Sequence, residues 1–223
     1  MLYVYAITDS RDEPEGPGLH GAGVRPFGER PPFAMASEHR DSPHPDEADL
    51  WVHESVVEEL MGRCTVLPMR FGSTVADETS LLAVLEERRA EFESLLGRVR
   101  GAVELSVRAQ VAAHPHEPAH SNAARGDAGG PGTAYLLRRR EAQQRADDAV
   151  ARIHEPLAEL SRQSGRKGGG LRPDAFKAAY LVDRDRVEEF RARVRDLTDE
   201  IEEARIVCTG PWPPYSFSAG SGE

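Results

Sequence analysis

The sequence predicts an α+β protein of two domains. A chain of 223 residues is long enough to bury two small hydrophobic cores. Strand-like and helix-like segments share the first hundred residues, residues 114–132 then lose all periodicity, and a long helical seam of apolar residues follows. These observations predict an N-terminal domain over residues 1–112, a linker over residues 113–132 and a C-terminal α+β domain with a long helix over residues 133–223.

The N-terminal segment begins with a strand. Residues 2–7 are apolar or aromatic at every position, which predicts a strand buried on both faces. A long loop rich in glycine and proline is predicted over residues 9–32, and a second strand over residues 33–37. A helix is predicted from Asp46, because acidic residues suit a helix N-terminus and apolar residues follow at spacings of three and four.

Residues 66–72 read Val-Leu-Pro-Met-Arg-Phe-Gly and predict a short strand that ends in a turn. Pro68 cannot donate to a neighbouring strand, so this strand is expected at a sheet edge, and Gly72 supplies a flexible exit. One continuous helix is predicted from Asp77 to Gly101, and a strand with one solvated face over residues 103–107. Two helices on one face of a four-stranded sheet form a ferredoxin-like layer with its first helix displaced.

The C-terminal segment is organised around one long helix. Apolar residues at spacings of four and three predict a helix over residues 133–161, whose seam is a candidate surface for pairing two copies of the chain. The seam consists of Ala146, Val150, Ile153, Leu157 and Leu160. Pro156 is expected to kink this helix or to end its first segment near His154.

Four shorter elements complete the C-terminal prediction. A glycine-rich loop is expected over residues 164–173 and a strand over residues 175–182. Asp185 and Glu188 resemble a capping box at the start of a further helix. Residues 206–208 predict the last strand, and a proline-aromatic tail follows it.

Composition excludes several function classes. The chain has 28 basic and 38 acidic residues, a net charge of -10, which argues against a nucleic-acid surface. No apolar run approaches the ~20 residues that a membrane span needs, and the first residues lack the features of a signal peptide, so a cytoplasmic protein without membrane contact is expected. Cys64 and Cys208 are expected to be buried thiols in preference to a disulfide.

Two clusters invite a ligand-binding interpretation, and each has a simpler alternative. His114, His116 and His120, with Glu117 between them, contain the donor types of a transition-metal site, but two intervening prolines favour a polar linker. Residues 168–170 are three glycines after a lysine, whereas a phosphate-binding loop places its lysine after the last glycine. A flexible loop is therefore expected there, and no cofactor is predicted.

His53, Glu54 and Arg70 form the one acid-base group that a helix and the following strand are expected to bring together. A catalytic or small-molecule-binding ferredoxin-like domain using these three residues is the alternative function. No nucleophile or second carboxylate is spaced to complete a mechanism, so a hydrogen-bonded packing histidine is the favoured interpretation.

The tail over residues 209–217 holds three prolines and three aromatic residues. Its polyproline-type backbone is compatible with docking in an aromatic groove of another protein. The favoured alternative is that the tail folds back over its own domain and covers a sheet edge, because aromatic residues often close a small core.

The Arg-Phe-Gly strand end at residues 70–72 and the Gly-Pro-Trp-Pro-Pro-Tyr tail at residues 210–215 form a specific pair of motifs. Further matching pieces lie, in order, at residues 2–5, 53–57, 132–136 and 179–182. Together they resemble the gas vesicle protein F and L family over nearly the whole chain. Residues 73–75 depart from the family pattern, which usually carries threonine, valine and an aromatic residue there.

The resemblance implies a non-enzymatic accessory or minor structural protein in gas vesicle assembly, with a modified ferredoxin-like N-terminal domain. It also implies binding to the hydrophobic shell protein or to other gas vesicle accessory proteins. The motif positions expected to be structural or to contact a partner are His53, Pro68, Arg70, Phe71, Gly72, Gly210, Pro211, Trp212, Pro213, Pro214 and Tyr215. Among them, Phe71 is expected to pack and Arg70 to form a fixed structural pair.

Overall fold

The computed structural model describes residues 1–40, 46–111, 131–166 and 175–218. Within these residues the chain forms two β-sheets and five α-helices, which confirms the predicted α+β class. The chain divides into two compact units. The first comprises Met1–Leu105, Leu181–Arg184 and Gly210–Glu223, and the second comprises Ser106–Tyr180 and Asp185–Thr209. The domain boundaries at residues 112 and 133 stay a prediction.

The first sheet is antiparallel and has β1 at its centre. Its strands are β1 (Leu2–Thr8), β2 (Arg25–Phe27), β3 (Phe33–Glu38), β4 (Val66–Pro68) and β5 (Thr74–Val75). The order is β2, β3, β1, β4, and β5 also pairs with β1. Every residue of β1 is buried, as the apolar residues at positions 2–7 predict. Strand β4 lies at the edge of the sheet, where no further strand requires the backbone N–H that Pro68 lacks.

The predicted loop over residues 9–32 is wrong in one part, because it contains β2. This strand has only three residues, Arg-Pro-Phe, and so it is too short to show an alternating pattern. The same region contains Gly18, where a Cβ atom would lie 2.3 Å from the Tyr5 hydroxyl. Glycine is therefore required at that position to let the loop approach β1.

Three helices accompany the first sheet: α1 (Glu47–Arg63), α2 (Glu78–Glu87) and α3 (Arg89–Val99). The Asp46 and Asp77 carboxylates cap α1 and α2, as predicted. The single helix predicted from Asp77 to Gly101 is wrong, since the chain leaves helical geometry at Arg88. No glycine or proline marks this break, and contacts of Arg89 with Glu86 and with the loop around Pro31 accompany it.

The core of the first unit lies between α1 and the sheet. Helix α1 contacts β1 and β4, while α2 contacts β2, β3 and β5. The residues buried together in this core are Tyr3, Tyr5, Ala6, Leu19, Val24, Met35, Val56, Val57, Leu60 and Val66. Two tyrosine hydroxyls are thus buried in an apolar setting and require hydrogen-bond partners.

The second sheet corrects three sequence predictions. It comprises β6 (Ala102–Val111), β7 (Gln163–Arg166), β8 (Ala175–Asp183) and β9 (Ala204–Trp212), in the order β7, β8, β6, β9. Strand β6 was expected in the first sheet, β7 was expected to be part of a glycine-rich loop, and β9 extends beyond the predicted residue 208 into the tail. Element order does not reveal which strands pair, because pairing depends on contacts distant in sequence.

The second unit contains α4 (Pro131–Glu159) and α5 (Val187–Glu200), which contact each other. Helix α4 continues past Pro156, so of the two alternatives predicted for this proline the helix end near His154 is wrong. A proline in the last turn removes one hydrogen bond without preventing the turn. The predicted capping box at Asp185 is also wrong, since α5 follows a short 3₁₀ turn at Arg184–Arg186 and has no side-chain cap.

Three residues of the apolar seam of α4 are buried inside the second unit. Val150, Ile153 and Leu157 are at most 5% exposed, and His154 Nδ1 lies 2.8 Å from the Tyr180 hydroxyl of β8. These three seam residues are therefore not available to a second copy, contrary to the sequence expectation. Within the described residues, no helix has the length and apolar character needed to cross a membrane.

Candidate functional site

His53 occupies the centre of a buried hydrogen-bonded cluster in the first unit. It lies in the second turn of α1 and is completely buried against Tyr3 and Tyr5 of β1. The two tyrosines are two residues apart in a strand, so their side chains lie on the same face of the sheet. The His53 ring stacks on Tyr5 at a centroid distance of 5.6 Å and meets Tyr3 edge-on at 5.7 Å.

The tautomer of His53 follows from its two partners. Nδ1 lies 2.9 Å from the Tyr3 hydroxyl and Nε2 lies 3.1 Å from the Met69 carbonyl oxygen. A carbonyl only accepts, so Nε2 carries the hydrogen and donates to Met69, while Nδ1 accepts from Tyr3. Burial lowers the pKa of His53 to about 4, and the imidazole is therefore neutral at physiological pH.

The strand end at residues 66–72 is held by this cluster. Gly72 N–H donates to the Tyr3 hydroxyl at 3.0 Å, so Met69 and Gly72 are both tied to the pair formed by Tyr3 and His53. Phe71 is half-buried and meets the His53 ring edge-on at 5.7 Å. Gly72 has φ 86°, a left-handed conformation that favours glycine. The cluster therefore positions the Arg-Phe-Gly turn.

Arg70 differs from its prediction. The expected structural ion pair is absent among the described residues, and the Arg70 side chain is exposed. Its carbonyl oxygen instead accepts from both the backbone N–H and the hydroxyl of Ser73, at 3.1 and 2.7 Å. Ser73 thus closes a tight turn on the main chain of Arg70, and the Arg70 side chain is left in solvent. The sequence pattern does not reveal this exposure.

A second hydrogen-bonded chain extends from Tyr5 to the surface. The Tyr5 hydroxyl accepts from Leu19 N–H at 2.8 Å and lies 2.9 Å from the Ser37 hydroxyl. Ser37 in turn lies 2.7 Å from His39 Nε2. Burial lowers the pKa of His39, and the nearby His20 and the N-terminal amine add to this effect. All these groups are bonded internally, which is typical of a structural network.

The proline-aromatic tail begins with a backbone that only glycine allows. Gly210 has φ 113°, and a Cβ atom there would lie 2.7 Å from the Glu104 carbonyl oxygen. Pro213 and Pro214 are buried, Pro211 is exposed and Trp212 is 42% exposed. The tail thus contributes Pro213 and Pro214 to the core and leaves Pro211 and Trp212 at the surface.

Two carboxylates from elements distant in sequence fasten the tail. The Tyr215 hydroxyl donates to Glu54 at 3.0 Å, and burial raises the pKa of Glu54. Ser216 donates its N–H and its hydroxyl to the two carboxylate oxygens of Glu104, at 2.8 and 2.7 Å. Arg98 donates to the Phe217 carbonyl at 2.7 Å. The tail therefore folds back on its own chain and is bonded to residues 54, 98 and 104 of the first unit.

The sequence interpretation missed two of these groups. Glu104 was assigned to the solvated face of a strand, but it is only 4% exposed because the tail covers it. Tyr3 was counted as an apolar strand residue, although its hydroxyl links Gly72 to His53. The Tyr-x-Tyr spacing in β1 is the one signal that places two hydroxyls on a single face.

A family model described as gas vesicle synthesis protein GvpL/GvpF matches residues 1–219. The chain belongs to this family. Gas vesicle protein F of Streptomyces sp. strain CB03234 is 33% identical, with 96% of this chain and 98% of that protein covered. Gas vesicle protein L of the same strain is 31% identical, with coverages of 98% and 92%. The resemblance seen in the two motifs is confirmed.

Solved structures of GvpL/GvpF family proteins share the fold. GvpF from Anabaena sp. PCC7120 superposes with a TM-score of 0.82 at 21% identity, covering 99% of both chains. GvpF from Microcystis aeruginosa gives a TM-score of 0.78 at 19% identity, covering 98% of both chains. The two-sheet α+β architecture is therefore the fold of GvpF structures.

The alternative acid-base group is not assembled in this GvpL/GvpF family chain. Among the described residues, no hydrogen bond or ion pair joins any two of the His53, Glu54 and Arg70 side chains. His53 and Glu54 are adjacent on α1 and point to different partners. A cleft of about 600 Å³ lies elsewhere in the first unit, around Cys64, and none of the three residues lines it.

The described residues also contain no metal-ligand cluster. No group of three or more histidine, cysteine, aspartate or glutamate side chains in that part of the chain is placed to hold a metal ion. His114, His116 and His120 lie outside the described residues. Cys64 and Cys208 are free thiols that are half-buried, not fully buried as expected, and burial raises the pKa of Cys64 to about 12, which disfavours its thiolate form.

Proposed function

We propose that this protein is a non-enzymatic accessory or minor structural component of gas vesicle assembly. It binds the hydrophobic shell protein, or other gas vesicle accessory proteins, in the cytoplasm and at the gas vesicle. The observation that carries this proposal is the match to the gas vesicle family over residues 1–219. The neutral, fully buried His53, with both ring nitrogens bonded internally, supports a role without catalysis.

The geometry suggests how the family motifs divide between structure and contact. His53, Phe71, Gly72, Gly210 and Tyr215 hold the turn and the tail in place. Pro68, Pro213 and Pro214 are buried and belong to the same structural group. Arg70, Pro211 and Trp212 are exposed, and we assign them to partner contact. An arginine and a tryptophan are residue types that often dominate protein interfaces.

Co-expression with the gas vesicle shell protein tests the proposal. The tagged protein should retain the shell protein, or a sister accessory protein, in the soluble fraction, because covering an aggregation-prone surface keeps it dispersed. Arg70→Ala should fold like the parent and retain less partner. Glu93→Ala, at an exposed position on α3, is the matched control and should retain as much as the parent.

Two joint results would overturn the proposal. They are the absence of any association with the shell protein or the sister accessory proteins, and normal vesicle formation in a strain that lacks the gene. An Arg70→Ala protein that binds normally would refute only the contact assigned to Arg70.

A further inference from the structure

Helix α1 exposes two large apolar side chains on its solvent side. Leu50 is 41% exposed and Trp51 is 67% exposed. The opposite side of α1 is fully used, since His53, Val56 and Leu60 are buried in the core. An amphipathic helix normally presents polar residues to water, so an adjacent leucine and tryptophan on that side need a separate explanation.

Acidic residues surround this apolar pair. One acid, Glu47, lies four residues before Trp51, and two more, Glu54 and Glu58, lie three and seven residues after it. These spacings place all three acids on the same side of the helix as Trp51. We call Glu47, Leu50, Trp51, Glu54 and Glu58 the α1 surface. Arg63, at the end of α1, is the first basic residue after this set, so the surface combines an apolar centre with an acidic rim.

Two acids of the rim lack ion pairs that several glutamates of other helices form. In the described residues, α2, α3 and α5 each pair one or more glutamates with a nearby arginine, as in Arg89–Glu86 at 2.7 Å and Arg191–Glu188 at 2.8 Å. Glu47 and Glu58 form no such ion pair within that part of the chain. Within the rim, Glu54 and Glu58 are like charges four residues apart, an arrangement that a positively charged partner would relieve.

The α1 surface is already ordered before any partner arrives. The Asp46 carboxylate caps the first turn, and the Ser55 hydroxyl donates to the Trp51 carbonyl at 2.8 Å. Glu54 is held by the Tyr215 hydroxyl of the tail. A rigid helix that presents one exposed tryptophan loses little conformational freedom on binding, which is the usual condition for an interface hot spot.

We propose that the α1 surface docks a partner segment whose apolar residues are flanked by lysine or arginine. The apolar residues cover Leu50 and Trp51, and the basic residues pair with Glu47 and Glu58. This inference rests on the proposed function, because it supplies the chemistry by which a gas vesicle component is recognised. A second copy docked through the same surface would bring two acidic rims together, so charge complementarity selects a different, basic segment.

Two synthetic peptides test the proposal on the full-length protein. Both have the same leucine and alanine stripe at helical spacing; one carries arginine at the remaining positions and the other carries glutamate. Fluorescence anisotropy of the labelled peptides measures binding. The arginine peptide should bind saturably and at least about tenfold more tightly than the glutamate peptide, since like charges oppose docking.

Matched variants locate the binding surface. Trp51→Ala should weaken binding of the arginine peptide by about tenfold or more, and Glu47→Lys with Glu58→Lys together by a similar factor. Leu82→Ala removes a comparably exposed apolar side chain from α2, and Glu93→Lys reverses an exposed charge on α3. Both controls should leave binding unchanged, and circular dichroism should show that all variants fold.

Several results would overturn the proposal. They are equal affinity for the two peptides, unchanged binding by Trp51→Ala, or self-association of the parent that Trp51→Ala abolishes, since the last identifies a second copy as the occupant. The co-expression assay separates the two proposals. If the parent retains the shell protein or a sister accessory protein and Trp51→Ala retains it equally, the docking surface is wrong and the proposed function stands. If the parent retains no gas vesicle component, the proposed function fails while the peptide titration still reports on the surface.

Discussion

Replacing His53 with glutamine should remove a specific pH dependence from the stability of this protein. Folding lowers the pKa of His53 from 6.5 to about 4 because the ring is buried. Between these values the unfolded chain binds a proton that the folded chain refuses, so stability is fully present above pH 6.5 and falls as the pH drops toward 4. The full difference corresponds to about 3 kcal/mol, and about 2 kcal/mol of it is lost by pH 5.

Urea unfolding followed by circular dichroism at pH 7 and pH 5 measures this effect. The parent should lose about 2 kcal/mol more of its unfolding free energy between the two pH values than His53→Gln does. His39→Gln is the matched control, because His39 is only partly buried and its removal should change the pH dependence less. At pH 7, His53→Gln should itself cost roughly 2 to 4 kcal/mol, since it disturbs two buried hydrogen bonds.

Parallel loss of stability in the parent and in His53→Gln would refute this reasoning. It would mean that His53 titrates in the folded protein as it does in the unfolded chain, and that the network through Tyr3 and Met69 does not hold a neutral ring. A Tyr3→Phe variant removes the hydroxyl, and with it the bonds to His53 Nδ1 and from Gly72 N–H, while the bond from His53 to Met69 remains.

Three further results are expected. Gly210→Ala should lower the unfolding free energy by more than about 1 kcal/mol, because alanine would strain the backbone and its Cβ atom would clash with Glu104. The control Gly97→Ala in α3 should be neutral or stabilising by up to about 1 kcal/mol. Equal effects of the two substitutions in urea titrations would contradict the assigned geometry. Tyr215→Phe should cost about 1 to 3 kcal/mol and speed proteolysis of the tail, because the half-buried Glu54 loses its donor; unchanged proteolysis would show that the bond does not hold the tail. Cys64 should resist alkylation at pH 8 until urea is added, since burial raises its pKa to about 12. Mass spectrometry measures the labelling, and rapid labelling of Cys64 in native buffer would contradict the assigned burial.

Local patterns predicted several elements well. The six consecutive apolar or aromatic residues at positions 2–7 predicted a strand buried on both faces, and β1 is buried throughout. Asp46 and Asp77 were identified as helix starts because a carboxylate at that position accepts a hydrogen bond from the first turn, and both do so. Signals of this kind depend on a few neighbouring residues, and so they can be recognised in the sequence without knowledge of the fold.

Other predictions failed where a distant contact decides the outcome. Helix α2 ends at Arg88 without glycine or proline, and β6 joins the second sheet although it follows the helices of the first unit. Glu104 alternates with apolar residues and was predicted to be solvated, yet Ser216, 112 residues later, covers it. A period of two describes which side of a strand a residue occupies, but not what lies on that side.

The candidate site shows the same division. The two motifs at residues 70–72 and 210–215 were found in the sequence because their residue types are unusual and occur in order, and the family match confirms them. Their roles were not visible there. Arg70 was predicted to be paired and is exposed, whereas His53 was predicted to pack and does so with both nitrogens bonded.

The sequence by itself determined the α+β class, the main helix starts and the family of this protein. These depend on composition, short periodicities and the order of motifs along the chain, none of which requires knowing which segments are in contact. Only the tertiary structure decided which strands pair, that Glu54 and Glu104 fasten the tail, and that Leu50 and Trp51 remain at the surface. Burial is a relation between segments far apart in the chain, and apolar side chains can face either the core or a partner.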